Sequence, residues 1–174
     1  MTKTSKIVAI VLIAAILIIG VGYAAIGNIT LNIAGSAKAD PAQANFTVKF
    51  SGTPTTDKTN VAASSTTANV TAAVTDDLNA TIGVTGLTAK GDTVSATYTI
   101  QNTSADLSAN LSATTSNSDS EYFSVSYAFA KTSIKSGEAT TVTVTVELIK
   151  TPIEASKSST VGLTVTAAPA QPQA

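Results

Sequence analysis

The chain contains no histidine, no cysteine and no tryptophan, and only 12% of its 174 residues are charged. Without histidine and cysteine, a Ser–His–Asp or Cys–His catalytic arrangement is excluded, and a zinc site would have only carboxylate ligands, which suit other metals better. Without cysteine there is no disulfide, so an exported chain of this composition must be held together by packing and strand pairing. These absences predict that the protein is not an enzyme and has no catalytic residue, cofactor or metal.

Charge argues against a nucleic acid as partner. Ten basic and eleven acidic residues give a formal net charge of −1. The lysines are scattered along the chain, whereas binding to a phosphate backbone requires them to cluster. We therefore expect no nucleic acid partner.

Two pairs of acidic residues remain as candidates for acid–base chemistry, namely Asp76-Asp77 and Asp119 with Glu121. Acidic side chains in turns usually accept hydrogen bonds from nearby backbone N–H groups. The glycines fall singly at turns, and none forms a phosphate-binding loop. Both pairs are therefore predicted to be turn residues.

The N-terminus has the three parts of a secretory signal peptide. The first six residues carry two lysines and no acid, and an uncharged apolar run occupies residues 7–19. Gly22 and Ala24 are small residues at the −3 and −1 positions of a cut between Ala24 and Ala25. Residues 1–24 are thus predicted to be an apolar signal helix that signal peptidase removes, which makes the mature protein secreted and extracellular.

An uncleaved anchor is the alternative for this segment. Residues 7–26 carry no charge, and about 20 apolar residues are just enough to span a bilayer. In that case the remaining chain would be a membrane-anchored domain at the cell surface.

Beyond residue 24 apolar and polar residues alternate with a period of two, which is typical of strands with one buried face. The clearest run is Val142, Val144, Val146 and Leu148, which alternate with threonine and glutamate. The full set of runs spans residues 29–33, 46–50, 70–74, 82–84, 94–100, 107–113, 123–129, 142–148 and 161–165. Eight or nine short strands at this spacing predict an all-β fold, a two-sheet sandwich of the jelly-roll or Ig-like kind over residues 39–168.

Turn signals separate most of these runs, at Asp76-Asp77, Lys90-Gly91-Asp92, Ser136-Gly137 and Thr151-Pro152. Another stands at residues 51–54 (SGTP). Residues 51–69 are rich in Thr, Ser and Ala with little to bury, and are predicted to be a long exposed loop. Residues 169–174 are predicted to be a flexible tail.

Residues 25–38 form an extended N-terminal strand in this prediction, with Ile29, Leu31 and Ile33 on one face. Two interpretations of this strand are open. It could pair within its own chain as an ordinary first strand, or it could be donated to the exposed sheet edge of another subunit. The small residues Gly35-Ser36-Ala37 that follow would let the chain leave one body and enter another.

Four stretches of the sequence resemble a known family. Residues 22–25 (GYAA) end the leader immediately before a strand, and residues 87–92 (LTAKGD) are similar to a Leu-x-x-Gly-Asp turn with one extra residue. Residues 100–107 (IQNTSADL) have the form of a strand, an Asn-x-Gly/Ser turn and a second strand, and residues 134–138 (IKSGE) repeat the glycine–acid turn. In their order they resemble the TasA/camelysin family of exported fibre-forming proteins and related archaeal donor-strand pili.

The resemblance implies an extracellular filament, a biofilm matrix fibre or a pilus. Its subunits would polymerise head to tail by donating the N-terminal strand, with Ile29, Leu31 and Ile33 as the buried residues of the donor strand. Some camelysin-type members are classed as metallopeptidases, but a chain without histidine gives no support for that activity. The competing function is a monomeric or membrane-anchored Ig-like domain that binds carbohydrate or protein, although carbohydrate sites usually need aromatic platforms and this chain has no tryptophan.

The leader generates the first testable prediction. N-terminal sequencing of protein released into the medium should begin at Ala25, because the small residues Gly22 and Ala24 suit the cleavage site. An intact Met1, or a start inside residues 51–69, would contradict it.

Overall fold

The computed structural model describes residues 29–32, 46–153 and 157–170. These residues form ten strands: β1 Ile29–Asn32, β2 Val48–Asn60, β3 Asn69–Asp76, β4 Asn79–Thr85, β5 Thr93–Asn102, β6 Ser108–Asn117, β7 Phe123–Phe129, β8 Ser133–Ile134, β9 Ala139–Leu148 and β10 Val161–Ala170. The predicted all-β class is confirmed. Within the described ranges, no helix has the length and apolar character needed to cross a membrane.

The strands form two sheets. The six-stranded sheet has the order β3-β4-β1-β10-β6-β8, and the four-stranded sheet has the order β2-β5-β9-β7. All neighbouring strands are antiparallel except β1 and β4, which are parallel through the single pair Asn32–Asn79. The first described strand, β1, therefore lies in the interior of the larger sheet, between β4 and β10.

The two sheets share one main core. In β5 and β9 every second side chain is fully buried, as the sequence alternation predicts. Tyr98 and Ile100 of β5 belong to the same buried cluster as Leu163 and Val165 of β10. Complete burial of each large apolar side chain is worth about 1.5–3 kcal/mol, so these central strands are the main source of stability.

The predicted exposed loop at residues 51–69 is wrong in its first part, because β2 continues to Asn60. Most side chains of this half of β2 are exposed, so no alternation marks it as a strand. Gly52 has φ +70°, and the pairing with β5 shifts register between Ser51 and Thr55. The predicted turn at residues 51–54 is therefore a bulge inside a strand.

The C-terminal boundary also differs from the prediction. β10 continues through Pro169 and Ala170, which pair with Ala109 and Ser108 of β6. Among the described residues β1 pairs with β10 only as far as Ala167. Proline is tolerated there because a strand edge can lose an N–H donor.

The two central strands begin with matching turns. Gly91 donates its N–H to the carbonyl of Leu148 (2.8 Å), and Leu148 donates back to Asp92 (2.9 Å). At the other end of the pair, Gly137 donates to Asn102 (2.9 Å) and Asn102 donates back to Glu138 (3.0 Å). Each glycine has positive φ, which side chains rarely tolerate. Thus the turn that starts each strand holds the end of the other.

Asn102 is a fully buried polar residue at the end of β5. Its side-chain amide donates to the carbonyls of Leu107 (2.8 Å) and Ile134 (3.3 Å), and its side-chain oxygen accepts from the N–H of Ser104 (3.0 Å). One side chain thereby joins the ends of β5, β6 and β8. This explains the asparagine in the Asn-x-Ser turn.

Replacing Asn102 tests its structural role. Asn102→Ala should lower the free energy of unfolding by about 2–4 kcal/mol, because three backbone groups lose their partner, two of them on the buried residues Ser104 and Ile134. Asn110→Ala is the matched control on the exposed face of β6 and should change stability by less than about 0.5 kcal/mol. Urea unfolding followed by circular dichroism measures both, and equal effects would contradict the assigned role.

Candidate functional site

The position of β1 defines the candidate site. β1 runs antiparallel to β10, with Ile29 opposite Ala167 and Asn32 opposite Thr164. On its other side it meets β4 at Asn79. We call the space between the facing edges of β4 (residues 79–85) and β10 (residues 161–167) the β4–β10 groove. Among the described residues, β1 is the first strand, and its backbone pairs are those with β10 and β4.

The predicted donor-strand residues are located as follows. Ile29 and Leu31 lie in β1, where they pair with Ala167 and Val165 of the same chain. The chain thus pairs with itself here, as the ordinary first-strand interpretation expects. Ile33 and the predicted cleavage residues Ala24 and Ala25 lie outside the described residues.

The floor of the β4–β10 groove is apolar. Leu163, Val165 and Ala167 of β10 are buried, and so is Ala80 of β4. Ile82, which is half-buried, packs against the same core. The two walls, β4 and β10, present the backbone N–H and C=O groups of their facing edges. An extended segment with alternating apolar side chains is the ligand that fits such a site.

The wall formed by β4 is attached to the four-stranded sheet at points that do not involve β1. At the tip of the β3–β4 hairpin, the N–H of Phe50 in β2 donates to the carbonyl of Asp77 (2.8 Å). In the middle, the hydroxyl of buried Tyr98 crosses the core and donates to the carbonyl of Thr81 (2.7 Å). Burial raises the pKa of Tyr98, so this hydroxyl remains a donor.

The base of the same hairpin is held by the carboxylate of Asp92, at the start of β5. Asp92 is 2% exposed. It accepts hydrogen bonds from the N–H of Ala62 (2.7 Å) and the hydroxyl of Ser65, which precede β3. It also accepts from the N–H groups of Thr88 (2.9 Å) and Ala89 (2.8 Å), which follow β4. One carboxylate therefore fixes both ends of the hairpin.

The environment of Asp92 keeps it ionised. Burial alone would raise the pKa of its carboxyl group, but the hydrogen bonds from Ala62, Ser65, Ala89 and Thr88 outweigh burial and lower the pKa to about 2. Hydrogen bonds to the charged form of a carboxylate have this effect.

Gly86 lets the hairpin close tightly at its base. A Cβ atom at this position would lie 2.3 Å from the carbonyl oxygen of Thr67, and Gly86 has φ +76°. Only glycine fits both the close approach and the backbone conformation.

Three of the acidic residues that the sequence offered for acid–base chemistry make hydrogen bonds or ion pairs with neighbouring residues. Asp76 accepts hydrogen bonds from the N–H of Leu78 and the amide of Asn79, both at 2.8 Å. Asp77 lies 3.6 Å from the ammonium of Lys49, and Glu121 pairs with Lys150. In the part of the chain that the structure describes, no three His, Cys, Asp or Glu residues are grouped as metal ligands.

Sequence reasoning identified residues 90–92 as a turn signal and residues 87–92 as part of a family resemblance, but it missed the role of this turn in holding the groove. The signal was the acidic residue after Gly91, but its partners Ala62 and Ser65 lie far away in the chain and carry no distinctive pattern. Comparisons of the chain with family models, curated proteins and solved structures found no match.

Asp92 generates a pH-dependent prediction. Its folded-state pKa of about 2 lies below the unfolded value of about 3.9, so its contribution is present above that value and is lost as pH falls through about 2. The shift corresponds to about 2 kcal/mol. Asp92→Asn should therefore lower stability at pH 7 by about that amount and flatten the stability profile between pH 5 and pH 2.

Urea unfolding at several pH values measures this effect. Asp77→Asn is the matched control in the same hairpin, and should change stability little because exposed ion pairs contribute little. An unchanged acid profile in Asp92→Asn would contradict the role of the carboxylate.

Proposed function

We propose that this protein is the secreted structural subunit of an extracellular filament, a biofilm matrix fibre or pilus. Its two sheets form a sandwich of the jelly-roll or Ig-like kind. Signal peptidase removes residues 1–24, and the subunit then places residues 25–38 in the β4–β10 groove of the next subunit. Its partner is therefore a second copy of itself, and it catalyses no reaction.

The observation that carries the proposal is the position of β1, the first described strand, in the interior of a sheet. The β4 wall is anchored through Asp92, Tyr98 and Phe50, none of which belongs to the N-terminal strand. The β10 wall pairs along its length with β6. The groove can therefore keep its shape while one strand leaves and another enters.

The length of the connection permits exchange. Residues 33–45 separate β1 from Phe46, and 13 residues reach at most about 45 Å when extended. A strand on such a tether can enter a neighbour that lies beside its own subunit. The neighbour's strand would then make the backbone pairs that β1 makes within its own chain.

The exchange generates an open polymer. The donated strand and the groove are different surfaces, so the contact is heterologous, and a growing polymer keeps a free groove at one end and a free strand at the other. Burial of Ile29, Leu31 and Ile33 is worth on the order of 5–9 kcal/mol before the entropic cost of association. The resemblance to the TasA/camelysin family supports the same arrangement.

A second candidate function is a monomeric or membrane-anchored surface domain with a binding or adhesion role. The observation that favours it is the pairing of β1 with β10 of its own chain, which completes the sheet without a partner. The two functions differ in whether the mature protein polymerises.

The substitution Leu31→Asp separates them. A charge in an apolar groove costs several kcal/mol unless it is paired, so filament growth should stop while the body of the subunit stays folded. Thr30→Asp is the matched control, because neighbouring residues of a strand point to opposite faces, and it should still polymerise.

Negative-stain microscopy and circular dichroism of both variants and the wild type provide the measurement. A folded, non-polymerising Leu31→Asp variant supports donation. An unfolded one supports the monomeric alternative, and normal filaments would remove residues 29–33 from the mechanism. Wild-type protein that stays monomeric after removal of the leader would refute the proposed function.

A further inference from the structure

The β4–β10 groove ends in an open pocket of about 330 Å³. Val84 and Gly86 line it from the β4 side, Val161 from β10, and Phe123 and Val146 from the four-stranded sheet. We call this space the end pocket. It lies beside a second, smaller core cluster that includes Val94, Val146 and Val161.

Two polar side chains at the rim of the end pocket, those of Ser159 and Lys157, have partners within the chain. The hydroxyl of Ser159 donates to the side-chain oxygen of Asn117. The ammonium of Lys157 lies 4.7 Å from the ring centroid of Tyr122. The remaining walls are mostly apolar side chains, so the pocket is suited to an apolar ligand.

The register of β1 leads into the end pocket. Asn32 is opposite Thr164 of β10 and Asn79 of β4. If a strand continues past Asn32 with the same pairing to β10 and to β4, its position 35 lies opposite Val161 of β10 and beside Ile82 of β4. Its position 37 then lies beside Val84 of β4. These positions share the inward face with positions 29, 31 and 33, because the side-chain period of a strand is two.

We propose that the end pocket receives positions 35 and 37 of the strand inserted by a second copy of this chain. The proposal rests on the proposed function and extends it. Gly35 and Ala37 are the smallest residues that could stand there, so the native strand leaves the pocket largely unfilled. A larger apolar side chain at position 37 would bind more tightly.

The length of the chain favours a second copy as the source of this strand. β1 runs toward the end pocket, whereas Phe46 lies at the opposite end of the molecule, two residues before Val48, the partner of Asn102. Val94 and Asn102 are eight residues apart on β5, or about 27 Å, and the two residues before Val48 add about 6 Å.

A chain whose own position 37 entered the end pocket would have to return from there to Phe46. The nine residue-to-residue links between positions 37 and 46 span about 30–32 Å at full extension. This length is no more than the distance from the pocket end to Phe46, so the segment would have none left to bend around the molecule. A donating subunit stacked against the pocket end of its neighbour has no such constraint.

Ala37→Leu in the full-length chain tests the proposal. Filaments of this variant should lose labelled subunits roughly tenfold more slowly than wild type, because added apolar surface is buried and such changes act mainly on dissociation. Ser36→Leu is the matched control, since position 36 is on the opposite face, and it should leave the rate unchanged.

Equal slowing by both variants, or no slowing by Ala37→Leu, would overturn the proposal. A gain in the unfolding midpoint of dilute monomeric Ala37→Leu protein, independent of concentration, would assign the pocket to the chain's own strand and overturn the second-copy source. Val84→Phe narrows the pocket from its wall and should abolish the gain from Ala37→Leu. A gain that persists in the Val84→Phe background would place the introduced leucine elsewhere.

A peptide experiment distinguishes failure of this proposal from failure of the proposed function. If the wild type forms no filaments, peptides of residues 27–39, with the native sequence or with Ala37→Leu, can be titrated into the full-length Leu31→Asp chain. Roughly tenfold tighter binding of the substituted peptide supports the pocket. Equal affinities, or no binding of either peptide, would overturn it.

Discussion

The groove depends on how β4 is held, and the carboxylate of Asp92 is the contact at the base of that attachment. A buried charge is tolerated only when hydrogen bonds replace the water it has lost, and Asp92 has four donors from two separate segments. Because those segments flank the β3–β4 hairpin, one ionised group positions the hairpin against the four-stranded sheet. Without it, β4 would rely on Tyr98, on the hairpin tip and on the apolar contacts of its inner face.

Asp92 belongs to one of two related turns. In each, a backbone N–H donates to the acidic side chain three residues later: Ala89 to Asp92 (2.8 Å) and Lys135 to Glu138 (3.0 Å). Both turns secure the central β5–β9 pair, but their side chains differ in reach. Glu138 is partly exposed and also pairs with Lys131, whereas Asp92 points inward and binds the segment before β3. The same motif therefore makes only local contacts at Glu138, whereas at Asp92 it also holds the hairpin that forms one wall of the groove.

The strands were largely predictable because a buried face imposes a period of two, and every run of alternating residues lies in or at a strand. The exposed half of β2 could not be predicted from the sequence, since a strand with no buried face carries no alternation of apolar and polar residues. Residues 133–134 were too few to show a period. The alternation in β7 predicted a buried Tyr127, but this side chain is 39% exposed. β7 is the edge strand of its sheet, so fewer neighbours cover its side chains. The groove could not be predicted because strand order depends on contacts between distant segments, such as Asn32 with Asn79.

In the proposed function, the chain's own N-terminal strand and the strand of a second copy compete for the same groove. A strand on its own tether has an effective concentration of the order of millimolar, so an equally good strand from a second copy would lose to it at ordinary concentrations. Polymerisation therefore requires contacts that the chain's own strand cannot make. Under the proposal, the end pocket would offer such contacts, since residues 37–46 of the chain's own strand would have to be fully extended to reach it from Phe46. Small residues at positions 35 and 37 keep that advantage modest, which would leave the joint between subunits open to exchange.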